Sequence, residues 1–572
     1  MELAIDAVSR NLLVLAGPGT GKTRLLTNLA AYHVRSTPRA SSRVLCLTFS
    51  VEAAQQMRTR LRSRELEVRA RDRLHAVNFH QFGAELLRAY GDLIGRARQT
   101  QVLGRHETEE LVGELIHELG IPAVSPYAMA NNVSAVRNER SARDVPAQTL
   151  RRFLAAYERR KRELALYDYD DLIIGAVELL RAQPRLASIL QTAYRHVLVD
   201  ELQDTSRQQL ELIALVTGEG RSSLFGVADN DQMVYSWRDA RPENLTEFET
   251  RFGATRRPLL GNYRCPRHIV AAANAIIAPV AGSDGGPRAY SRVTGRDGQL
   301  LVARANSEYD APELVADVVA AELEHGVQPE RIAILHAIRR GVFEPIVTAL
   351  EQRGFPVVQI GSDIPGSSML ARVIQAAIAS QLDSHDTRAR ARLARLIGAA
   401  VLDEEEGRKI IDSLSRAQSI DQTLDQSAAV LGIDANGSEA MHVRRVCLLA
   451  AREMGGATAT MLTRLRLEWP RLDARLRREA ESVKVMTTFA AKGQEFQTVI
   501  FPAFTLTMTP YVHRNARTDE AWWAEERRKL YVAITRATHR VVFVHWGAPS
   551  TFLSEIPADI LSQWQPAIQH EP

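Results

Sequence analysis

Residues 16–23 read AGPGTGKT, between an apolar run at 12–15 and an amphipathic stretch at 22–34. That order, strand then glycine-rich turn then helix, is one that holds phosphate. Glycine lets the backbone N–H groups of Gly19, Thr20 and Gly21 turn inward, and the helix that follows presents its positive end. Lys22 is placed to pair with β and γ phosphates, and Thr23 to offer its hydroxyl to Mg²⁺. Ala16 stands where the strict pattern has glycine, and a small residue keeps the turn feasible. A second block, VLVDELQDTS at 197–206, is an apolar strand ending in two adjacent carboxylates. Strand ends are where α/β sheets bind ligands. Asp200 suits Mg²⁺, directly or through water, and Glu201 suits deprotonation of an attacking water. Alone, the pair reads better as two solvated acids; beside a phosphate loop it points to hydrolysis of a nucleoside triphosphate.

The elements that must position these groups follow from the hydrophobic pattern. Strand-like runs recur at 44–49, 197–199, 223–227, 300–303, 332–335, 357–360, 483–487, 499–501 and 541–544, mostly separated by amphipathic helical sequence. Such alternation predicts an α/β fold of parallel sheets with crossover helices. Two stretches, 84–165 and 376–480, break it. Both are rich in Ala, Leu, Arg and Glu with hardly any strand signal, and each reads as a helical insertion. The glycine-rich patch at 281–298 reads as a connector. The arginine-rich run at 387–395 fits a solvated helix face better than a DNA contact.

Composition narrows the classes. A chain of 572 residues exceeds what one core normally organises, so two principal domains are expected. No apolar run reaches the roughly 20 residues that span a bilayer, and the N-terminus lacks a basic region and a cleavage site, so a cytoplasmic protein without membrane attachment is expected. Cys46, Cys265 and Cys447 are far apart without CxxC spacing, which predicts buried thiols rather than a zinc or iron-sulfur site. The net charge of +4 permits a polyanionic partner without demanding one.

Further blocks extend the reading: LTFSVEAA, NFHQF, YDYDDLI, GVADNDQMVYSWRDA, LLGNYRC, MTTFAAKGQEFQTVIF and RKLYVAITRATHR. Their order and spacing resemble those of superfamily 1 helicases of the UvrD, Rep and PcrA group, across essentially the whole chain. The resemblance implies two RecA-like P-loop NTPase domains, each with a helical insertion. The first domain would take 1–83 and 166–275, with its insertion at 84–165. The second would take 276–375 and 481–572, with a reduced insertion at 376–480. ATP and Mg²⁺ would lie in the cleft between the domains and single-stranded DNA across both, hydrolysis driving 3′-to-5′ movement and the unwinding of 3′-tailed duplex. DNA repair, recombination and phage defence are the implied settings, with a separate nuclease or repair protein left open as a partner.

Residue roles carry over position by position. Gln232 resembles the γ-phosphate sensor, an amide that both donates and accepts. Arg264 and Arg536 resemble arginine fingers and should arrive from opposite halves of the molecule. Tyr263 and Arg24 resemble the pair that sandwiches adenine, and Glu495 the acid on the ribose. Phe49, Tyr235 and Trp237 resemble aromatics that stack on successive bases, and His80 a DNA-backbone contact; taken alone each fits a core, and within its block the DNA reading is favoured. Arg238 would link track and phosphate site, Phe552 would pack, and Asp204 and Asp231 would support structure. Departures stand beside the match. Ala4 falls where a glutamine usually reads the adenine edge, which opens the preference for ATP and the position of the true start. Ser50, Val51 and Glu52 replace the usual residues after Thr-Phe, and Phe489 a common histidine. No nuclease-like segment follows the last motif. A translocase that does not unwind, and an ATP-gated subunit of a nuclease complex, are the alternatives.

Overall fold

The computed structural model describes residues 11–36, 42–62, 72–96, 101–121, 124–142, 145–218, 220–232, 243–280, 289–337, 341–360, 369–382, 387–398, 404–416, 420–433, 480–510 and 519–565, with positions 443, 444, 446, 447 and 476. The chain divides into two compact units. The first comprises Met1–Gln299, His513–His539 and Phe552–Leu561, and the second Leu300–Val512, Arg540–Thr551 and Ser562–Pro572.

The first unit is built on short strands, the central ones largely apolar. β1 (Asn11–Ala16), β2 (Arg43–Thr48) and β3 (Leu74–Asn78) precede an insertion that contains β4 (Gln101–Val102) and ends at β5 (Leu166–Tyr167); β6 (Tyr194–Val199), β7 (Ser223–Ala228) and β8 (Thr255–Leu259) follow it. Six of these form one sheet in the order β3-β2-β6-β7-β1-β8, with every neighbouring pair parallel. Successive side chains of β1 face opposite ways. Leu13 joins a core with Leu45, Val197 and Phe248, while Leu12 and Val14 join another with Val44, Cys46 and the helix Lys22–Ser36. Both faces are therefore covered, which is why these strands lack a polar face. The edge strands β3 and β8 escaped the pattern reading. LHAVN and TRRPL are broken by polar residues, and an edge tolerates Pro258 because one side of that strand carries no neighbour. A short parallel pair, β9 (Gly261–Asn262) with β10 (Tyr290–Ser291), completes the unit's strands among the described residues.

Three helices, Arg105–Glu118, Pro126–Arg137 and Ala147–Glu163, carry the insertion's own core around Val112, Met129, Phe153 and Tyr157. The helix Phe79–Tyr90 runs through position 84 and packs Leu86 and Leu87 into the α/β core. At the root of the insertion the YDYDDLI block makes a buried ion cluster. Asp168 caps the helix Tyr169–Ala182, and Asp168 and Asp171 accept each other's backbone N–H at 2.8 and 2.9 Å. Lys161 reaches Asp168 at 2.9 Å and Asp171 at 2.7 Å, Arg137 bonds both acids, and the Tyr157 hydroxyl donates to Asp168. Burial would raise the Asp168 carboxyl, but Arg137 and Lys161 outweigh it and hold the group below the ordinary carboxylate range.

The second unit holds β11 (Gln299–Arg304), β12 (Ile332–His336), β13 (Val357–Ile360), β14 (Val483–Thr487), β15 (Phe496–Phe501), β16 (Ala537–His545) and β17 (Leu561–Gln563), ordered β13-β14-β12-β15-β16-β11-β17. The pairs β13-β14, β14-β12 and β12-β15 are parallel. Its core gathers Val315, Ile334, Phe343, Val485 and Ile500. Four helices, Met369–Leu382, Thr387–Gly398, Glu404–Ser415 and Ile420–Leu431, follow β13 and share the apolar group Val373, Ala377, Leu393, Ile397 and Leu414. Arg390, in the arginine-rich run, is exposed and pairs with Asp412. Most of 433–480 lies outside the described residues. All three cysteines are buried thiols, as their spacing suggested, and among the described residues no helix is long and apolar enough to cross a membrane.

Removing one partner of a buried ion cluster strands the others without a counter-charge, at a cost of about 3–5 kcal/mol. Lys161→Met should therefore lower the unfolding temperature of the first unit by several degrees. Arg159→Met, which removes an exposed pair with Glu163, should leave it nearly unchanged. Differential scanning calorimetry of the two variants checks the contrast.

Candidate active site

In a parallel sheet every strand delivers its carboxyl end to the same edge. β6, β7 and β1 are neighbours, so the segments that follow them arrive side by side: Asp200 and Glu201 after β6, Asp229 after β7, and the phosphate loop after β1. Gly19 and Gly21 both take left-handed backbone angles, φ +71° and +92°, which a glycine adopts without penalty. Thr20 is buried and its hydroxyl donates to Gly17 O at 2.8 Å, tightening the turn. The Lys22 ammonium donates to Ala16 O at 2.8 Å and lies 3.4 Å from Asp229 Oδ2.

The acids are held by one amide. Gln203 donates to the Glu201 carboxylate and accepts the Asp229 N–H at 2.9 Å, which fixes the two strand ends against each other. Asp200 is buried, with its N–H on Leu47 O at 2.9 Å. Glu201 is a non-glycine residue in the left-handed region, φ 51° and ψ 46°, a conformation that costs about 1–2 kcal/mol and turns its side chain away from the strand direction. Burial pushes the Asp229 carboxyl up and Glu201 adds to the push, while Lys22 opposes both. Sequence reading passed over Asp229, although GVAD repeats the pattern of VLVDE: an apolar strand that ends in an acid.

Cations close the other side. Asn262 Oδ1 accepts the N–H groups of Arg264 and Cys265, both at 2.8 Å, and Tyr263 N–H donates to Gly19 O at 2.8 Å, so the GNYRC turn is bonded to the phosphate loop. Arg264 Nη1 reaches Thr535 O at 3.4 Å, and Arg536 Nε donates to Val532 O at 2.8 Å. Arg536 is 2% exposed. Its guanidinium is lowered to about 10 by burial and then by the neighbouring Arg264, against the opposing pull of Glu201 and Asp229, and stays charged at neutral pH. Arg536 follows the helix Glu520–Ile534, which packs on the helix Arg267–Ile277, and both arginines belong to the first unit. Arg527 of that helix pairs with Glu555 and lies over the buried Phe552 ring, the packing role expected of Phe552.

The remaining candidates fall as follows. Gln232 is buried, with its N–H on Asp229 O at 3.1 Å. Thr23 is half-buried, Arg24 is exposed and Tyr263 is 69% exposed, a rim beside the loop. Asp204 is buried, and Asp231 donates its N–H to Asp229 Oδ1 at 3.0 Å. Phe49 is half-buried just past β2, and Ser50 caps the next helix through Ala53 N–H at 3.0 Å. His80 stands in the first turn of the helix Phe79–Tyr90, edge-on to the exposed Tyr169 at 5.6 Å. Glu495 is exposed and belongs to the second unit, as does half-buried Phe489. Tyr235, Trp237, Arg238 and Ala4 lie outside the described residues.

The donor set fits Mg²⁺. That ion keeps several waters and takes one or two carboxylates with phosphate oxygens, rather than a full protein cage. Asp200 and the Thr23 hydroxyl are such donors, and among the described residues no cluster of three or more His, Cys, Asp or Glu forms a cage. Three carboxylates against Lys22, Arg264 and Arg536 give the chemistry of phosphoryl transfer to water.

A Cβ on Gly19 would lie 2.4 Å from Asn262 Oδ1 and 2.7 Å from Arg264 Cβ. Gly19→Ala should therefore push the arginine turn off the loop and weaken Mg²⁺-nucleotide binding by at least about tenfold. Gly95→Ala has the same φ of +71° but open space around it, and should leave the affinity unchanged. Titration with a fluorescent nucleotide compares the two.

Residues 1–253 match the model of the UvrD/REP helicase N-terminal domain, and residues 451–546 that of the UvrD-like helicase C-terminal domain. Among curated relatives, the ATP-dependent DNA helicase UvrD1 of Mycobacterium leprae is 26% identical over 97% of this chain and 85% of its own. UvrD1 of Mycobacterium tuberculosis is 27% identical over 96% and 83%. The ATP-dependent DNA helicase PcrA of Staphylococcus aureus is 23% identical over 98% and 86%.

Proposed function

Because the chain belongs to the UvrD/REP helicase family, we propose that it is an ATP-dependent DNA helicase that moves 3′ to 5′ on single-stranded DNA and opens 3′-tailed duplex. The observation that carries this reading is the gathering of Lys22, Glu201, Asp229, Arg264 and Arg536 around the carboxyl edge of one parallel sheet. A nucleotide switch that does not turn over has no use for a general base and two arginines together.

Each residue has a part in the proposal. Backbone N–H groups of Gly19, Thr20 and Gly21 cradle phosphate, and Lys22 exchanges Asp229 for β- and γ-phosphate oxygens. Thr23 and Asp200 hold Mg²⁺, which supplies charge neutralisation on the phosphates. Glu201 accepts the proton of the attacking water, Gln232 orients that water and senses the γ-phosphate, and Arg264 and Arg536 stabilise the charge that develops in the transition state. Arg24 and Tyr263 sandwich the base, and Glu495 binds the ribose. Phe49, Tyr235 and Trp237 stack on DNA bases, at roughly 1–3 kcal/mol each, and His80 contacts the backbone. The seat of action is the cytoplasm, in repair, recombination or phage defence.

The steady-state ATPase rate, measured with and without single-stranded DNA, tests the reading. Strong stimulation is expected, abolished in Lys22→Ala. Glu201→Gln should lower the stimulated rate by about 10²–10⁴ while nucleotide still binds. A slow rate indifferent to DNA contradicts a motor. On tailed duplexes, release of the complementary strand from the 3′-tailed substrate and not from the 5′-tailed one is the expected result.

A further inference from the structure

The strand β10 lies against the phosphate loop at one end and against Tyr263 at the other. Ala289 Cβ is 3.6 Å from where a Cβ on Gly17 would stand, and Asn274 Nδ2 holds Ala289 O at 2.9 Å. The next residues are bonded rung by rung to the GNYRC turn. Tyr290 N–H donates to Leu260 O at 3.0 Å, Ser291 Oγ to Cys265 O at 2.7 Å, and Arg292 N–H to Asn262 O at 2.6 Å. Arg292 Cγ and Nε lie 3.3 and 3.5 Å from the position of a Cβ on Gly261, and Tyr263 Cε2 lies 3.6 Å from that same point. Arg292 and the edge of the Tyr263 ring therefore flank the same side of Gly261.

The Arg292 head is also pre-set. Its Nη2 donates to the Tyr290 hydroxyl at 2.7 Å, and its guanidinium carbon stands 4.9 Å from the centre of the Tyr290 ring. A cation held by a ring and a hydroxyl, on a strand that leads away from the phosphate loop, is unlike a solvated surface arginine, whose head samples many rotamers. Tyr263 and Tyr290 are both exposed, at 69% and 45%, so solvent reaches the two rings on either side of Arg292.

We infer that Arg292, steadied by Tyr290, reads the edge of the purine that stacks on Tyr263, and so widens nucleotide use from ATP to GTP. This rests on the proposed seat of the base between Tyr263 and Arg24. A guanidinium only donates, and its fork matches two adjacent acceptors. Guanine offers O6 and N7 side by side, whereas adenine offers N7 beside an amino donor. Arg292 therefore favours guanine more than adenine and gives a pyrimidine nothing at that distance.

The test is displacement of ribose-labelled fluorescent ADP from the full-length chain with Mg²⁺, using unlabelled ADP, GDP and UDP. In the wild type, GDP should compete within about threefold of ADP, and UDP much more weakly. Arg292→Ala should weaken GDP by about tenfold and ADP by no more than about threefold. Tyr290→Phe, which keeps the ring and removes the hydroxyl that holds the guanidinium, should weaken GDP by an intermediate amount. Retained ADP binding shows that each variant is folded. Equal losses for GDP and ADP in Arg292→Ala, or a wild type that rejects GDP, would overturn the assignment. The assay needs neither DNA nor turnover, so failure of the motor reading would leave this selectivity pattern standing, and the reverse.

Discussion

Burying ions of one sign is prohibitive unless the other sign is supplied at hydrogen-bonding range, and the first unit is organised around that demand. Three adjacent parallel strands bring Asp200, Glu201, Asp229 and the phosphate loop to a single edge. Burial pushes the Asp229 carboxyl up, and the neighbouring Glu201 adds to the push. Lys22 answers on one side, and Arg264 with the fully buried Arg536 on the other. Burial and then the neighbouring Arg264 lower Arg536 in turn, so neither set is comfortable alone. In the proposed site a nucleotide polyphosphate with its metal would relieve both: phosphate oxygens would replace Asp229 on Lys22 and lie against the arginines, and the metal would supply charge to offset the carboxylates. Binding and catalysis would then draw on electrostatic tension already present in the fold.

Keeping such charges apart, yet within reach, requires rigid spacers. Gln203 is one, with its amide spanning Glu201 and Asp229. Asn262 is another. It caps the turn that carries Arg264, and its carbonyl oxygen would meet any side chain placed on Gly19. The position of Arg264 relative to the phosphate loop is therefore set by backbone contact, not by the reach of a flexible side chain. The left-handed Glu201 adds the last adjustment, a strained backbone step at the point where the chain leaves β6.

How much of this was legible in the sequence depended on the kind of signal. The central strands were plain because both faces are buried and their runs are uninterrupted. Edge strands β3 and β8 were not, because an edge with one neighbour tolerates His75, Asn78, Arg256 and Pro258. Phosphate-loop chemistry was readable, since glycine positions and a lysine at fixed spacing have few other uses. Asp229 and Gln203 were overlooked because their roles come from the neighbourhood of β6 and β7, which are adjacent in space and 26 residues apart where they bond. The buried cluster around Asp168 and Lys161 could be seen only as a motif, not as the root of the insertion.

The claim on which the rest depends is that hydrolysis at this sheet edge drives movement in one direction along DNA. It is tested most directly by stopped-flow fluorescence on single strands of increasing length, labelled at one end, with the protein bound at random positions before ATP is added. Directional movement predicts that the signal from a 5′-end label lasts longer as the strand lengthens, that a 3′-end label shows no such dependence, and that Glu201→Gln abolishes both ATP responses. A length-dependent signal at the 3′ end, or ATP consumption with no length dependence at either end, would contradict it.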